Sequence, residues 1–304
     1  MSKFIVTTTI NSPTEATIKF SKKEGWKLIV VGDLKTPHDE YAKLDCMYLS
    51  PEYQEITYPE VSNIIGWNSI QRRNIGFIEA FKKGAEIIAS VDDDNIPYDN
   101  WGNDLLVNKY VECDIYEHKS GVFDPLSVTD HKYLWHRGFP VELLKERGEI
   151  KYIGKGNRRI LIQADLWNGD PDVDATARII FRPEVEFTSI KAPYTSTGIS
   201  PFNSQNTFLS REVFPNYSVL PFIGRMDDIW ASYILQHYFP QNLAYNRASV
   251  FQARNPQDLV LNLENEIFGY RNTLKLINDL VNYKKYLPQK TLDFLVQYEK
   301  CFLD

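Results

Sequence analysis

The segment FIVTTTINSPTEATIKFSKKEGWKLIVVGD, residues 4–33, decides the fold class. It opens on FIVTTTI (4–10), apolar and β-branched and too short for a helix, which reads as a buried strand. Ser12, Pro13 and Glu15 follow as a capping box with proline at the first helical position, so a helix is expected to run to about Glu24 and stop at Gly25. WKLIVVGD (26–33) is a second buried strand. Strand, helix and strand within about 30 residues make a βαβ unit, and such units build parallel sheets.

The same alternation continues outward. CMYLS (46–50) reads as a short third strand. In SIQRRNIGFIEAFKK (69–83), Ile70, Ile75, Phe77, Ile78 and Phe81 fall largely on one helical stripe, and Gly84 follows as a stop. EIIASV (86–91) is the next strand, and Asp92, Asp93 and Asp94 stand at its carboxyl end. In open α/β sheets that edge is where ligands bind, which favours a site over a solvated charge cluster. Beyond residue 100 the pattern loosens, with strands expected near 160–166 and 178–190 and a helix at about 227–239. Residues 258–300 read as two amphipathic helices parted near Leu287-Pro288. The expected organisation is one α/β domain, 1–257, with a nucleotide-binding half (1–100) and an acceptor-side half (101–257), followed by a helical extension over 258–304.

Composition bounds the function. Hydrophobic residues make up 43 % of the 304 positions, enough for a large core. A formal charge of -6 gives no global field for nucleic acid. Cys46, Cys113 and Cys301 form no CxxC pair, which argues against a thiolate zinc site and fits a reducing compartment. No run of about 18 apolar residues occurs, so no membrane span is expected and the location expected is cytoplasmic. The five histidines form no H-x-x-x-H pattern, and neither a G-x-S-x-G elbow nor a glycine-rich phosphate loop is present.

The three aspartates carry the chemistry. Residues i and i+2 of a strand exit can face one crevice, so Asp92 and Asp94 suit a hard cation, Mn²⁺ or Mg²⁺, with phosphate oxygens and water completing its shell. An EF-hand is excluded because Pro97 occupies the position that needs glycine. Thr8 and Asp33 end the first two strands on the same edge and are candidates for base or ribose contacts, with Asp93 beside them. Arg72 and Arg73 are candidates to pair with a diphosphate, whose oxygens match the guanidinium fork, or with a base edge, Arg72 lying near the base, or else they form a solvated helix face. Asp227 and Asp228, in GRMDDIW (224–230), either open a helix at its positive end or hold an acceptor hydroxyl, with Asp228 favoured for chemistry and Asp227 for capping or acceptor binding. DLWNGDPDVDA (165–175) offers Trp167 as a sugar-stacking plate beside Asp170, Asp172 and Asp174, a composition that turn chemistry explains equally well.

Taken in order, VVGDLKTP, RRNIGF, SVDDDNIP, LWNGDPDVDA and GRMDDIWASYI resemble the glycosyltransferase-like superfamily that includes plant STELLO proteins. More distantly they resemble the reversibly glycosylated polypeptides that act as UDP-arabinopyranose mutases. The resemblance implies a GT-A (Rossmann-like) nucleotide-diphospho-sugar transferase fold that binds a nucleotide sugar, normally UDP-linked, through a D-x-D motif and Mn²⁺ or Mg²⁺. Asp92 and Asp94 would then be the metal-side carboxylates, and RMDDIW would line the acceptor side. RGFP (137–140) resembles the mutase segment ahead of a self-glycosylated arginine, for which Arg147 is the nearest candidate. The mutases' histidine before an Asn-Pro pair has no counterpart in SVFQARNP (249–256). The expected function is metal-dependent glycosyl transfer from a UDP-sugar to a hydroxyl acceptor on a glycan, lipid or protein. The alternatives are a UDP-sugar mutase and a non-catalytic nucleotide-sugar-binding subunit.

Overall fold

In the computed structural model, which describes residues 1–254 and 256–303, β1 (Lys3–Thr9) lies between β2 (Lys27–Gly32) and β4 (Ile87–Val91), parallel to both. The chain leaves β1 through α1 (Glu15–Ser21) to β2, then through a single turn α2 (His38–Tyr41) to the edge strand β3 (Met47–Leu49). It returns through α3 (Pro51–Thr57), α4 (Pro59–Ile65) and α5 (Arg73–Lys82) to place β4 on the far side of β1. The order therefore reverses between β1 and β4, and a crevice opens where their carboxyl ends diverge.

The remaining strands extend this sheet. They are β5 (Asn95–Pro97), β6 (Lys109–His118), β7 (Ile150–Ile160), β8 (Ile162–Gly169), β9 (Tyr194–Ser196), β10 (Asn206–Ser210) and β11 (Leu243–Gln252). Among the described residues the order is β3-β2-β1-β4-β10-β8-β11-β9-β6-β7, with β5 paired to β11. β10 runs antiparallel to β4, which turns a parallel sheet into a mixed one. The expected α/β architecture is present.

The period-2 alternation of the central strands feeds two cores. Phe4, Val6, Ile29 and Val31 face one side, with α5, α7 (Asp227–Tyr238) and the C-terminal helices. Ile5, Leu28 and Val30 face the other, with Phe20 of α1 and Trp101. Both faces are covered, which is why these strands read as continuous apolar runs. α5 lies close on the sheet at Gly76, where a Cβ would come within 2.5 Å of Val6 and 2.8 Å of Val31.

Four local expectations change. Thr14, not Ser12, caps α1, because the Thr14 hydroxyl both accepts from Thr17 N–H (3.2 Å) and donates to the Asp93 carbonyl (2.5 Å). α1 ends at Ser21 rather than at Glu24, with Lys22 at its C-cap. Where a strand was expected near 178–190, α6 (Ala175–Phe181) begins instead, since the Asp174 carboxylate accepts from Thr176 N–H and Ala175, Ala177 and Arg178 favour helix. α3 and α4 were not anticipated, although Pro51 and Pro59 stand at their first turns.

The C-terminal helices α8 (Leu259–Asn278) and α9 (Gln289–Lys300) are both present, parted by a 3-10 turn over Leu280–Tyr286. They pack on the body of the protein. Thr291 and Tyr298 donate to the carbonyls of Pro221 and Tyr217, and Glu266 of α8 accepts from Arg225. α8 thus braces the segment that leads into α7.

Candidate functional site

β1 ends in Thr8 and Thr9, and β4 runs directly into Asp92, Asp93 and Asp94. The three carboxylates meet three different fates. Asp93 accepts from Thr9 (2.5 Å) and Asn11 (3.0 Å), so it ties the β4 exit to the β1 exit and shapes the crevice floor. Asp92 pairs with Arg73, whose buried guanidinium also donates to the Ser204 carbonyl and hydroxyl at 2.9 Å each. Asp94 is different: its Oδ1 is buried and has no hydrogen-bond partner among the described residues. Burial, and after it the Asp92 charge, pushes the Asp94 carboxyl up to about 7.

A second group of charges forms the opposite part of the cleft at the start of α7. Arg137 grips Asp172 in a bidentate pair (Nε–Oδ1 and Nη2–Oδ2, both 2.9 Å) and lies 2.9 Å from Asp228. Asp228 also accepts from Ser204 N–H (2.9 Å). Burial opposes the Asp228 charge, but Arg137 outweighs it and holds this carboxyl below the usual range. Asp227 accepts from Gln71 (2.8 Å) and from Asp228 N–H (3.0 Å), with Arg137 farther away at 3.9 Å. Burial, then the Asp228 charge, lifts Asp227 to about 7. Neither carboxylate caps α7, whose N-cap position is Met226.

The two groups share one cleft of about 350 Å³, lined by Asp92, Asp94, Arg73, Asp227, Asp228 and Arg254 among others. A second recess of about 320 Å³ adjoins it over the ends of β1 and β2, bounded by Thr8, Asn11, Asp33, Lys35, Asn68 and Ser69. Thr8, Ile70 and Asp93 line both. Asp33 is buried in the wall of this recess, where its carboxylate accepts the backbone N–H groups of Leu34 (2.6 Å), Asn68 (3.0 Å) and Ser69 (3.2 Å).

The structure therefore brings together Thr8, Asp33, Arg73, Asp92, Asp93, Asp94, Asp227 and Asp228. It does not bring Arg72 or Trp167 to the cleft. Arg72 is fully buried, donating to Gln54, Ser62 and the Gly66 carbonyl at 2.8 Å each and lying 3.4 Å over the Trp67 ring. Trp167 is buried between His136 and Phe187 and offers no face to a sugar. Arg147, the nearest match to the mutase arginine, pairs with Asp124 (2.7 Å) and does not line the cleft. Of the Asn-Pro pair in 249–256, Asn255 lies outside the described residues.

Sequence reasoning passed over Arg137, Gln71 and Arg254. Arg137 stood in the RGFP stretch, but only the fold shows it between Asp172 and Asp228. Arg254 has a side chain 6 % exposed, with Nε and Nη2 making no hydrogen bond among the described residues.

Among the described residues no three His, Cys, Asp or Glu side chains converge on a point that could hold a metal. Asp92 and Asp94, which line the cleft together, make a two-carboxylate donor set. That set still fits Mg²⁺ or Mn²⁺, which are commonly held by one or two carboxylates with phosphate oxygens and water in the other positions. The unpartnered Asp94 oxygen is the group such a cation would satisfy. No helix among the described residues is long and apolar enough to cross a membrane.

No protein-family model matches the chain. It is 26 % identical over 263 residues to the Arabidopsis thaliana protein "Probable glycosyltransferase STELLO2", covering 80 % of this chain and 34 % of that protein. It is 25 % identical over 267 residues to "Probable glycosyltransferase STELLO1" of the same organism, covering 80 % of this chain and 33 % of that one. The chain thus spans about a third of the length of these curated relatives. Among solved structures, glucosyl-3-phosphoglycerate synthase from Mycobacterium tuberculosis in complex with phosphoglyceric acid overlaps with a TM-score of 0.47 at 15 % identity, covering 92 % of this chain and 79 % of that one. The same enzyme in complex with Mg²⁺ and UDP overlaps with a TM-score of 0.44 at 14 % identity, covering 95 % and 79 %. Over 80 % of its length, then, this chain is similar in sequence to the STELLO probable glycosyltransferases.

Proposed function

We propose that the chain is a divalent-metal-dependent glycosyltransferase that takes a nucleoside-diphosphate sugar, a UDP-sugar by preference, and transfers the sugar to a hydroxyl acceptor. One observation carries this reading. A buried Asp94 oxygen beside Asp92, without a hydrogen-bond partner among the described residues, shares a single cleft with Asp227, a carboxyl lifted to about 7. The sequence likeness to probable glycosyltransferases supports it.

The recess at Thr8, Asn68 and Ser69 would take the base and ribose, which places the diphosphate at the aspartates where the two cavities meet. A cation held by Asp92 and Asp94 would neutralise charge on the leaving diphosphate as a Lewis acid. Arg73 holds the Asp92 carboxylate in place for that task, and Arg254 adds positive charge to the same cleft. Asp227 then removes the proton of the acceptor hydroxyl as the acceptor oxygen bonds to the anomeric carbon. The sugar–phosphate C–O bond breaks, and the nucleoside diphosphate leaves with the electron pair. A base with a pKa near 7 suits that role at neutral pH. Asp228, held ionised by Arg137 and Ser204, keeps the Asp227 pKa high by like charge. This assigns chemistry to Asp227, the reverse of the order that the sequence favoured.

Incubation with a panel of UDP-sugars and Mn²⁺, followed by chromatography, tests the reading. UDP release with glycosylated product or free sugar is expected. A rearranged UDP-sugar would mean a mutase, and binding without turnover would mean a non-catalytic subunit.

A further inference from the structure

Beyond the cleft lies a separate recess of about 250 Å³, lined by Asp170, Arg178, Arg182, Arg254 and Gln257 among others. Arg254 and Gln257 line both cavities, so a molecule extending from one into the other runs along these two side chains. Three arginines face a single carboxylate here. Asp170 already pairs with Arg178, and it lies 3.5 Å from Arg254 Nε. One carboxylate cannot neutralise two guanidiniums, and Arg182, exposed at the end of α6, adds a third.

Arg254 is the informative member. Its side chain is 6 % exposed, yet Nε and Nη2 make no hydrogen bond among the described residues. A buried guanidinium with unused donors is expensive unless something fills them. Asp172 and Asp94 act on Arg254 electrostatically, but Arg137 already engages Asp172, and among the described residues no hydrogen bond or ion pair joins Asp94 to Arg254. Burial and the neighbouring Arg178 charge outweigh all three carboxylates and lower the Arg254 pKa. The planar fork of arginine matches the oxygens of a phosphate or carboxylate in bidentate fashion.

We propose that this arginine recess is an oxyanion subsite that binds a phosphate-ester or carboxylate group carried by the acceptor. The word acceptor rests on the transferase reading; the oxyanion site itself does not. The anionic end of the acceptor sits among Arg178, Arg182 and Arg254, while its hydroxyl reaches back along Gln257 into the cleft that holds Asp227.

The test is calorimetric titration of the full chain with inorganic phosphate, with UDP and Mg²⁺ at saturating concentration in the donor cleft. Phosphate should still bind, and Arg182→Glu should weaken it by about 10-fold or more while leaving UDP affinity unchanged. Arg182→Lys, which keeps the charge, should restore most of the affinity, and Lys300→Glu, remote from the recess, should have no effect. A parallel acetate titration separates phosphate from carboxylate preference, and either supports an oxyanion site. Phosphate displaced by UDP, or bound equally well by wild type and Arg182→Glu, would overturn the proposal. If UDP itself fails to bind, the transferase reading fails; the Arg182→Glu comparison on the UDP-free protein still decides the oxyanion site.

Discussion

Arg137 Nη1 stands 2.9 Å from the Asp228 carboxylate and 3.9 Å from that of its chain neighbour Asp227. Burial disfavours both charges; the nearer Arg137 outweighs it at Asp228, whereas at Asp227 burial and then the Asp228 charge prevail and lift the carboxyl to about 7. Removing each charge should therefore have opposite effects. Asp227→Asn should slow UDP release from a UDP-sugar by about 10²-fold or more, the scale for losing a general base. It should also raise the melting temperature at pH 8 by about a few degrees, because the cost of burying that charge, and after it the repulsion from Asp228, disappears. Asp228→Asn weakens the Arg137 cluster and should cost about 1–3 kcal/mol. Activity and thermal melting of both variants check this; a slow but destabilised Asp227→Asn protein would remove the pairing argument.

The pH dependence follows from the same group. The Asp227 pKa is raised from 3.8 to about 7, so between those values the folded state holds a proton that the unfolded state has released. Stability from this group is full below about 4 and falls as pH rises through 7. The gain in melting temperature from Asp227→Asn should be near zero at pH 4 and grow towards pH 8. Wild-type UDP release should rise over the upper part of that window, as the base loses its proton. A melting difference that shrinks with rising pH would contradict the assignment.

Much of this was legible in the sequence, and the gaps have physical causes. The β1-α1-β2 unit and the aspartates at the end of β4 follow from strand length, apolar runs and turn residues, all local signals. RIIF (178–181) is apolar at every position except the first and reads as strand by itself, while the Asp174 cap and the helix-favouring Ala175, Ala177 and Arg178 mark α6. Arg73 and Arg72 look alike in sequence. Their separation depends on a 3-10 turn over Ile70–Arg72 that leads into α5 and sends one guanidinium to Asp92 and the other to Gln54. The Arg137–Asp172–Asp228 cluster joins segments 35 and 91 residues apart, a pairing with no local signature.

Arg72 gives a direct check on that distinction. Arg72→Met leaves the Gln54, Ser62 and Gly66 acceptors without their donor and should cost about 2–4 kcal/mol. UDP affinity of the folded variant should stay within about twofold of wild type, since Arg72 lines neither cavity. Denaturant unfolding and calorimetry measure the two quantities; a large loss of UDP affinity with intact stability would restore Arg72 to the binding site.

The most direct measurement is UDP binding by calorimetry, with and without Mn²⁺, for wild type and Asp94→Asn. The side chain keeps its shape but loses the charge that a hard cation needs. Mn²⁺ should strengthen UDP binding to wild type by at least about 10-fold, and that enhancement should be largely absent in Asp94→Asn, whose melting temperature should be no lower than wild type's. Equal Mn²⁺-dependent UDP affinity in the two proteins, or UDP binding by neither, would contradict a metal-bridged nucleoside diphosphate at Asp94.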